Sequence, residues 1–584
     1  MGNYITKSIN WAINKTIFKY LNCRTVAVIV IILLYGVFLI PSYNTQSIDQ
    51  YYEQFYEKSY MQPLNVIDGQ ILFSPMYTKT TYLIDTSGTI NHTWSSDYFP
   101  GEAVRYLGGG AILRTIKTGA SGFGGAGGGV QKVLWDGAIV WDFRYNTTHH
   151  DILPLPNGNI LMLTWEIKTY YDAMEAGRIP NSFFGDTFTS EHIIEVKPNG
   201  LNSGEIVWEW RAWDHLIQDF ASGRENYGIV EDHPELIDIN YGINHGLSDW
   251  LHMNSIDYNV KFDQILVSVH NFNEIWVIDH STTAEESAGH SGGNSGKGGD
   301  ILYRWGNPQA YRAGTSNDQK FFSQHDANWI DAGFPGAGNI IVFNNGVDRP
   351  DGPYSSVDEI VPPVNENGEY FLEPEFSYGP ENPIWSYIGA PVTSFYSAGY
   401  SSAQRLEGGN TLICEGTSGR FFEVTPDGSI IWQYINPYFG FGSNAVFKIV
   451  YIPPKEELKN HLPSKPIITG ETNGAIQKSY NYTIKATDPD QDDVEYLIDW
   501  GDNTNTLTGF NQSGKKIIIS HMWNTKGIYN IKVKAIDYRY AESDWATFEV
   551  NMPKITIYNP IIQKILKILE LFPLFEKILN QILI

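Results

Sequence analysis

The chain has 584 residues, with 40 Lys plus Arg against 65 Asp plus Glu, a formal net charge of −25. That length exceeds one compact core, so a large repeat fold or several domains is expected, and the acidic balance excludes a nucleic-acid-binding surface, which needs a basic footprint. Hydrophobic residues at 42% and aromatics at 14% exclude bulk disorder, while 55 Gly, 29 Pro and 17 Trp favour turns and aromatic-rich strands over long helices.

Residues 1–24 carry Lys7, Lys15, Lys19 and Arg24 and no acid, and Thr25 to Ile40 then has no charge. With its flanks, 25–43 is predicted to be a transmembrane signal anchor. The basic flank precedes it, so 1–24 is expected to be cytoplasmic and the remainder extracytoplasmic. No A-x-A-like cleavage site follows, which favours an uncleaved anchor. Sequons at Asn91, Asn146, Asn481 and Asn511 fit export. Cys23 and Cys414 are the only cysteines, so neither a disulfide framework nor a Cys-based zinc site is available.

Residues 65–450 repeat. A turn, often with Gly, leads into a short apolar strand ending in Trp and a polar or aromatic pair: GTINHTW (88–94), GAIVWDF (137–143), GEIVWEW (204–210), GDILYRW (299–305), NPIWSY (382–387) and GSIIWQY (428–434). The tryptophans, Trp94, Trp141, Trp208, Trp305, Trp385 and Trp432, are spaced by 47, 67, 97, 80 and 47 residues. The shortest intervals suit a four-stranded propeller blade and the longer ones imply insertions. Period-two alternation dominates, so the expected fold is all-β, with a six-bladed β-propeller over 65–450.

Four polar clusters precede strands in different predicted blades: His149-His150-Asp151, His252-Met253-Asn254-Ser255 with His270 downstream, Gln324-His325-Asp326, and Ser402-Ala403-Gln404-Arg405. The first strands of propeller blades line one channel, so these clusters are expected to converge. No H-x-H or H-x-x-x-H pair occurs near them, and Asp151 and Asp326 each directly follow a His and so point to the opposite face of a strand. A metal site is therefore not assigned. The Gly-rich run 119–129 lacks a P-loop ending and reads as a loop near the channel rim; no G-x-S-x-G elbow is evident.

The ordered set HHDILPLPNGNILML, HMNSIDYN, QHDAN…NIIVFNNG and SAQRLEGGNTLICEG resembles the arylsulfotransferase family, the PAPS-independent aryl-sulfate sulfotransferases. The resemblance implies a six-bladed propeller that moves a sulfuryl group from a phenolic sulfate ester to a phenol acceptor through a sulfohistidine, with no metal or other cofactor. It implies His325 as the nucleophile and His252 and Asn254 as the groups that hold the sulfuryl oxygens. One of His149 and His150 matches a further site histidine, His150 being preferred. His270 stands where the family carries a catalytic Arg. A histidine lacks the permanent charge and donor fork of Arg, so either His270 acts when protonated, or Arg405, Arg312 or Arg349 replaces it. On chemical grounds His325 is assigned as a neutral imidazole nucleophile, its tautomer set by Asp326 or a backbone carbonyl. His252 is assigned as acid and then base, and His150 and Asn254 as stabilising donors. Gln324, Gln404 and Arg405 are expected to contact substrate, and Phe321, Phe322, Tyr396 and Tyr400 to hold aryl rings.

Residues 451–466 read as a Pro- and Lys-bearing linker. The region 467–552 reads as seven or so short strands and resembles a polycystic-kidney-disease-type (PKD) immunoglobulin-like β-sandwich, through DPDQDD (488–493), WGD (500–502) and HMWNTKGIYNIKVKAID (521–537). Its acidic run is a candidate Ca²⁺ ligand set or a solvated turn. Apolar residues at three- and four-residue spacing make 558–584 an amphipathic helix broken near Pro573, a candidate membrane-surface or partner contact. The leading expectation is a membrane-tethered aryl-sulfate sulfotransferase. Its alternatives are a non-catalytic extracellular ligand- or partner-binding propeller with an adhesion-type spacer, and a propeller oxidoreductase with a quinone cofactor. The oligomeric state is not readable.

Overall fold

The computed structural model describes residues 68–119, 124–242, 248–373, 376–454, 461–490, 492–537 and 541–552. The expected segment 1–24, anchor 25–43 and helix 558–584 lie outside the described residues. Among the described residues no helix is long and apolar enough to cross a membrane.

The all-β class holds. Six four-stranded antiparallel sheets follow one another along 70–452. The second runs Phe99–Tyr106, Ile112–Lys117, Gly128–Val133, Ile139–Arg144; the third Thr148–Pro154, Ile160–Thr169, Thr187–Asn199, Ser203–Arg211. The fourth is Met253–Asn259, Gln264–Val269, Glu274–Asp279, Tyr303–Trp305; the fifth His325–Trp329, Ile340–Asn344, Ser356–Ile360, Trp385–Ile388; the sixth Ser402–Arg405, Thr411–Glu415, Arg420–Val424, Ile430–Ile435. The first sheet differs in origin. Gln70–Pro75, Thr80–Asp85 and Ile90–Ser95 supply three strands, and Val446–Ile452, from the far end of the region, pairs antiparallel with Gln70–Pro75.

The repeat tryptophans all lie on the outermost strands, and each indole N–H donates to the sheet that follows. Trp94 reaches the Leu134 carbonyl, Trp141 that of Ser203, Trp208 the Thr282 hydroxyl, Trp305 the Pro380 carbonyl and Trp385 that of Pro426. Trp432 of the sixth sheet donates to Thr86 of the first at 2.7 Å. A buried indole supplies apolar area between sheets and one donor at its rim, which explains the repeated choice of Trp. At the opposite edge of the sheets, the strands beginning at 99, 148, 253, 325, 402 and 446 contact each other in that order, and the last contacts the first.

The irregularities of these inner strands fall next to the candidate site residues. Register shifts fall between Pro100 and Val104, Thr148 and Ile152, Met253 and Ser255, and His325 and Asn328. At or beside them Glu102, His150, His252 and Asp326 take φ of 112°, 44°, 53° and 54°. Left-handed backbone is costly for residues with a Cβ, and bulges of this kind re-aim side chains next to functional sites.

Seven further strands form two sheets over 467–552: Ile467–Gly470, Ser479–Lys485 and Ile517–Met522 in one, and Asn505–Leu507, Val494–Asp499, Gly527–Asp537 and Ala546–Met552 in the other. Tyr482, Tyr496, Trp500, Trp523, Val533 and Val550 pack between them as one buried core.

Candidate active site

Four imidazoles converge from three sheets. Ring centroids are 4.5 Å apart for His150 and His252, 5.1 Å for His252 and His270, and 5.4 Å for His270 and His325. Phe447 lies 6.0 Å from His150 and 6.4 Å from His325, with Tyr400 6.5 Å from Phe447. The Gly-rich loop lies against this group: a side chain at Gly125 would collide with the His150 ring, and one at Gly124 would reach 3.7 Å from His252.

His325 has a defined tautomer. Asn345 donates its amide N–H groups to the Ser397 and Tyr400 carbonyls at 2.8 and 3.0 Å, which turns its Oδ1 toward His325. That oxygen is 2.8 Å from His325 Nδ1, with the Ser323 carbonyl at 3.2 Å. Both partners are acceptors, so Nδ1 carries the proton and Nε2 keeps its lone pair. Burial holds the imidazole neutral, with a pKa lowered to about 4 despite the Asn345 contact.

His252 has the opposite character. Burial works against its charge, but Asp249 Oδ2 lies 2.6 Å from Nδ1, and with Glu191 and Glu102 it raises the pKa above the ordinary histidine value. A buried carboxylate thus favours the charged form of His252 beside a neutral imidazole. His270 is oriented by Asn271, whose Oδ1 is 2.8 Å from His270 Nδ1 and whose Nδ2 donates to the Asp249 carbonyl.

Of the adjacent pair, His150 and not His149 faces the cluster. His149 is fully buried, stacked on Trp165 at 4.5 Å, with Nε2 2.9 Å from Glu191 Oε2. Glu191 also accepts the Met253 N–H, so it couples the third and fourth sheets. The two Nδ1 atoms of His149 and His150 are 2.9 Å apart and share one proton. Burial and the neighbouring imidazoles drive the His150 pKa well down. Across from its Nε2, at 3.9 Å, is the Glu102 carboxyl, whose Oε2 is buried without a hydrogen-bond partner. Burial raises Glu102 to about 7, against the attraction of His252 and Lys117.

Several expected contacts fall elsewhere. Asp326 does not hold His325; its carboxylate binds Lys448 Nζ at 2.6 Å and the Ala403 N–H. Asn254 donates to the Gln324 carbonyl at 2.8 Å and its own Oδ1 is buried without a partner, so it brackets two strands. Gln324 is fully buried, its amide spent on Ser268, Val269 and Glu274. Phe321 is a core residue, edge-on to Trp305 at 4.8 Å. Gln404 accepts the Tyr451 N–H, and Arg405 pairs with Glu359 at 2.6 Å over the Trp385 ring. The other two arginines proposed for the missing charge are also committed: Arg312 to Asp219 and Asp238, and Arg349 to the Tyr354 carbonyl and Ser356.

Gln404 and Arg405 instead line a separate cavity of about 180 Å³ with Arg105, Asp257, Asp326 and Lys448. Beside it Asp151 accepts from Arg105 at 2.7 Å and Lys448 at 3.0 Å, and Lys448 bridges on to Asp326. Asp151 is buried, and although desolvation opposes its charge, the two cations depress its pKa.

Asp249, Asn345 and Glu102 were not assigned from sequence. Asp249 sits three residues before His252 and Asn345 within the FNNG run, both inside or beside quoted motifs. Glu102 belongs to none.

The chain belongs to the arylsulfotransferase family: the family model described as Arylsulfotransferase (ASST) matches residues 45–435. Membership supports an aryl-sulfotransferase type of activity, with an aryl sulfate donor and a phenol acceptor, at the level of the family. No curated protein matches the chain. Among solved structures, the PKD domain of an M14-like peptidase from Thermoplasmatales archaeon SCGC AB-540-F20 is similar at 46% identity, over 16% of this chain and 99% of that one, with a TM-score of 0.16.

Proposed function

We propose that this protein transfers a sulfuryl group between phenols without a nucleotide donor, through a sulfohistidine at His325 Nε2. The observation that carries the reading is a cluster in which His325 Nδ1 faces two acceptors, leaving its Nε2 lone pair free of a proton, while Asp249 Oδ2 lies 2.6 Å from His252 Nδ1. The Nε2 lone pair attacks sulfur, an N–S bond forms and the S–O bond to the aryl group breaks. The departing phenolate takes the proton of His252. In the second half the acceptor phenol gives its proton to the now neutral His252, its oxygen attacks sulfur, and the N–S bond breaks to regenerate His325. Protons and charge balance over the cycle.

The charge that the absent arginine would supply to the sulfate oxygens comes from His252, kept protonated by Asp249, with His270 beside it. Glu102 and His150 form a second proton-accepting pair on the far side of His252. Phe447 and Tyr400 supply aromatic surface for an aryl ring. The six sheets are read as blades of a closed six-bladed β-propeller; the Trp432 bond to Thr86 and the pairing of Val446–Ile452 with Gln70–Pro75 support that reading. The basic flank and uncharged run at 25–43 support a tethered, extracytoplasmic enzyme, with the 467–552 sandwich as a PKD-type spacer domain.

The test is release of phenol from a chromogenic aryl sulfate with an acceptor phenol and no added nucleotide. Release that needs the acceptor and vanishes in His325→Ala supports the proposal; full turnover in that variant removes the nucleophile assignment. Labelled sulfate trapped on a peptide containing His325 tests the covalent step separately. A second reading, ligand binding without turnover, is favoured by one feature, His270 in the arginine position; it predicts aryl-sulfate binding with no transfer.

A further inference from the structure

Away from the cluster, three residues from two separate segments bring ligand atoms together. His215 ends the short turn Ala212–His215 that follows the third sheet, and His290 and Asp300 come from the Gly-rich segment between the third and fourth strands of the fourth sheet. His215 Nδ1 lies 2.9 Å and His290 Nδ1 2.7 Å from the same Asp300 oxygen. The three ligand atoms lie within 4.8 Å of one another.

His215 has more acceptors than it can satisfy as a neutral ring. It is fully buried, and its Nε2 faces the Ser287 carbonyl at 2.9 Å while its Nδ1 faces the carboxylate. A carbonyl only accepts, so Nε2 must carry the proton and Nδ1 presents a lone pair to Asp300. His290 brings a second imidazole to that same oxygen. His280 shows the contrasting solution: its two nitrogens meet Asp263 at 2.7 Å and Glu195 at 3.0 Å, and although burial opposes it, two carboxylates hold it as a cation with a pKa of about 9. At His215 there is one carboxylate for two histidines and a neutral carbonyl behind.

We propose that His215, His290 and Asp300 bind a divalent first-row transition metal ion, zinc fitting best, through the two Nδ1 atoms and a carboxylate oxygen. The Nε2–H of His215 donating to a backbone carbonyl is the outer partner that metal-bound imidazoles use to fix their tautomer. Two imidazoles with one carboxylate suit zinc and its neighbours and do not suit calcium or magnesium. Metal–ligand bonds of about 2.1 Å separate tetrahedral ligand atoms by roughly 3.4 Å, so the cluster opens by roughly half an ångström on binding. His290 has that freedom: it is 61% exposed, leaving the remaining coordination position to water. On the other side Trp210 stacks flat on His215 at 5.6 Å and donates to the Gly299 carbonyl, and a side chain at Gly299 would collide with the Ser287 carbonyl. The metal clips the 280–300 segment, whose only helix is Ala284–Ser287, to the end of the third sheet.

The experiment uses untagged protein, stripped with chelator and then given one equivalent of Zn²⁺ or Co²⁺. Elemental analysis after desalting is expected to find about one metal per chain in the wild type and none in His290→Ala. Bound Co²⁺ is expected to give visible ligand-field absorption that His290→Ala lacks. Chelation should lower Tm by several degrees in the wild type and leave His290→Ala unmoved, and Asp300→Asn should behave as His290→Ala does. His290 is exposed enough that its loss leaves the fold intact, which circular dichroism checks. No retained metal in the wild type, equal metal in His290→Ala, or a Tm indifferent to chelation would each overturn the site.

Discussion

Two layers of the inner strands lie one residue apart in sequence and solve opposite problems. His150, His325 and Phe447 face the cluster; their next neighbours, Asp151, Asp326 and Lys448, join Arg105 in a buried charge network. The network has fixed charges of both signs, each paired. The cluster has groups whose charge depends on surroundings: His325 held neutral, His252 pushed toward its charged form, Glu102 raised to about 7. Permanent charge is put where the sheets must be tied together, and adjustable charge at the site of the proposed sulfuryl transfer.

The sharpest break of this contrast is His325→Ala. It should abolish transfer, by on the order of 10⁴-fold, while shifting Tm little, as read by paired activity and melting measurements. Asp151→Ala should do the reverse. It takes the bonded carboxylate from Arg105 and leaves Lys448 with Asp326 alone, and breaking a buried pair costs up to about 3–5 kcal/mol. Denaturant melts would show it; a fully stable Asp151→Ala protein would mean the network carries no structural load.

Asp249→Asn probes the adjustable layer. In the wild type His252 has a raised folded-state pKa, so its contribution to stability is complete below about 6.5 and fades as pH rises through the folded value. Without the carboxylate that window closes at lower pH, and the alkaline limb of the transfer rate should move down with it, with roughly a 10- to 100-fold loss at pH 8. An unmoved pH profile would remove His252 as the acid. The smallest effect is expected of Glu102→Gln. The folded state binds more protons than the unfolded between about 4.5 and about 7, so Glu102 costs stability as pH rises across that range. The variant should melt higher than wild type at pH 8, equally at pH 4, and lose a limb of the rate profile near 7. A lower Tm at pH 8 would contradict the strain assigned to this carboxyl.

The same two layers explain what the sequence made legible. The tryptophan repeats are readable because each outermost strand carries one Trp with one job, donation to the next sheet. Histidines at strand starts are readable because the first residues of inner strands come together. Gln404 and Arg405 were misplaced for the same reason: on a strand one position decides the layer, and bulges at Glu102, His150 and Asp326 alter that count in ways no alternation pattern reveals. Asn345 and Asp249 act through a single hydrogen bond from a loop or strand end, and Glu102 owes its properties to burial alone. Such roles depend on what surrounds a side chain, and one sequence carries little trace of that.

The pairing of Val446–Ile452 with Gln70–Pro75 has a consequence in time. The strand at 70 leaves the ribosome some 370 residues before its partner, and until that partner arrives it presents an open edge able to recruit other chains. Pairing across so long a separation is entropically slow, so the last strand made is the step that commits the region to its final form. A chain cut before 446 would retain all four histidines of the cluster, lose Phe447 and keep an unfinished first sheet, and it would be expected to aggregate rather than merely lose activity.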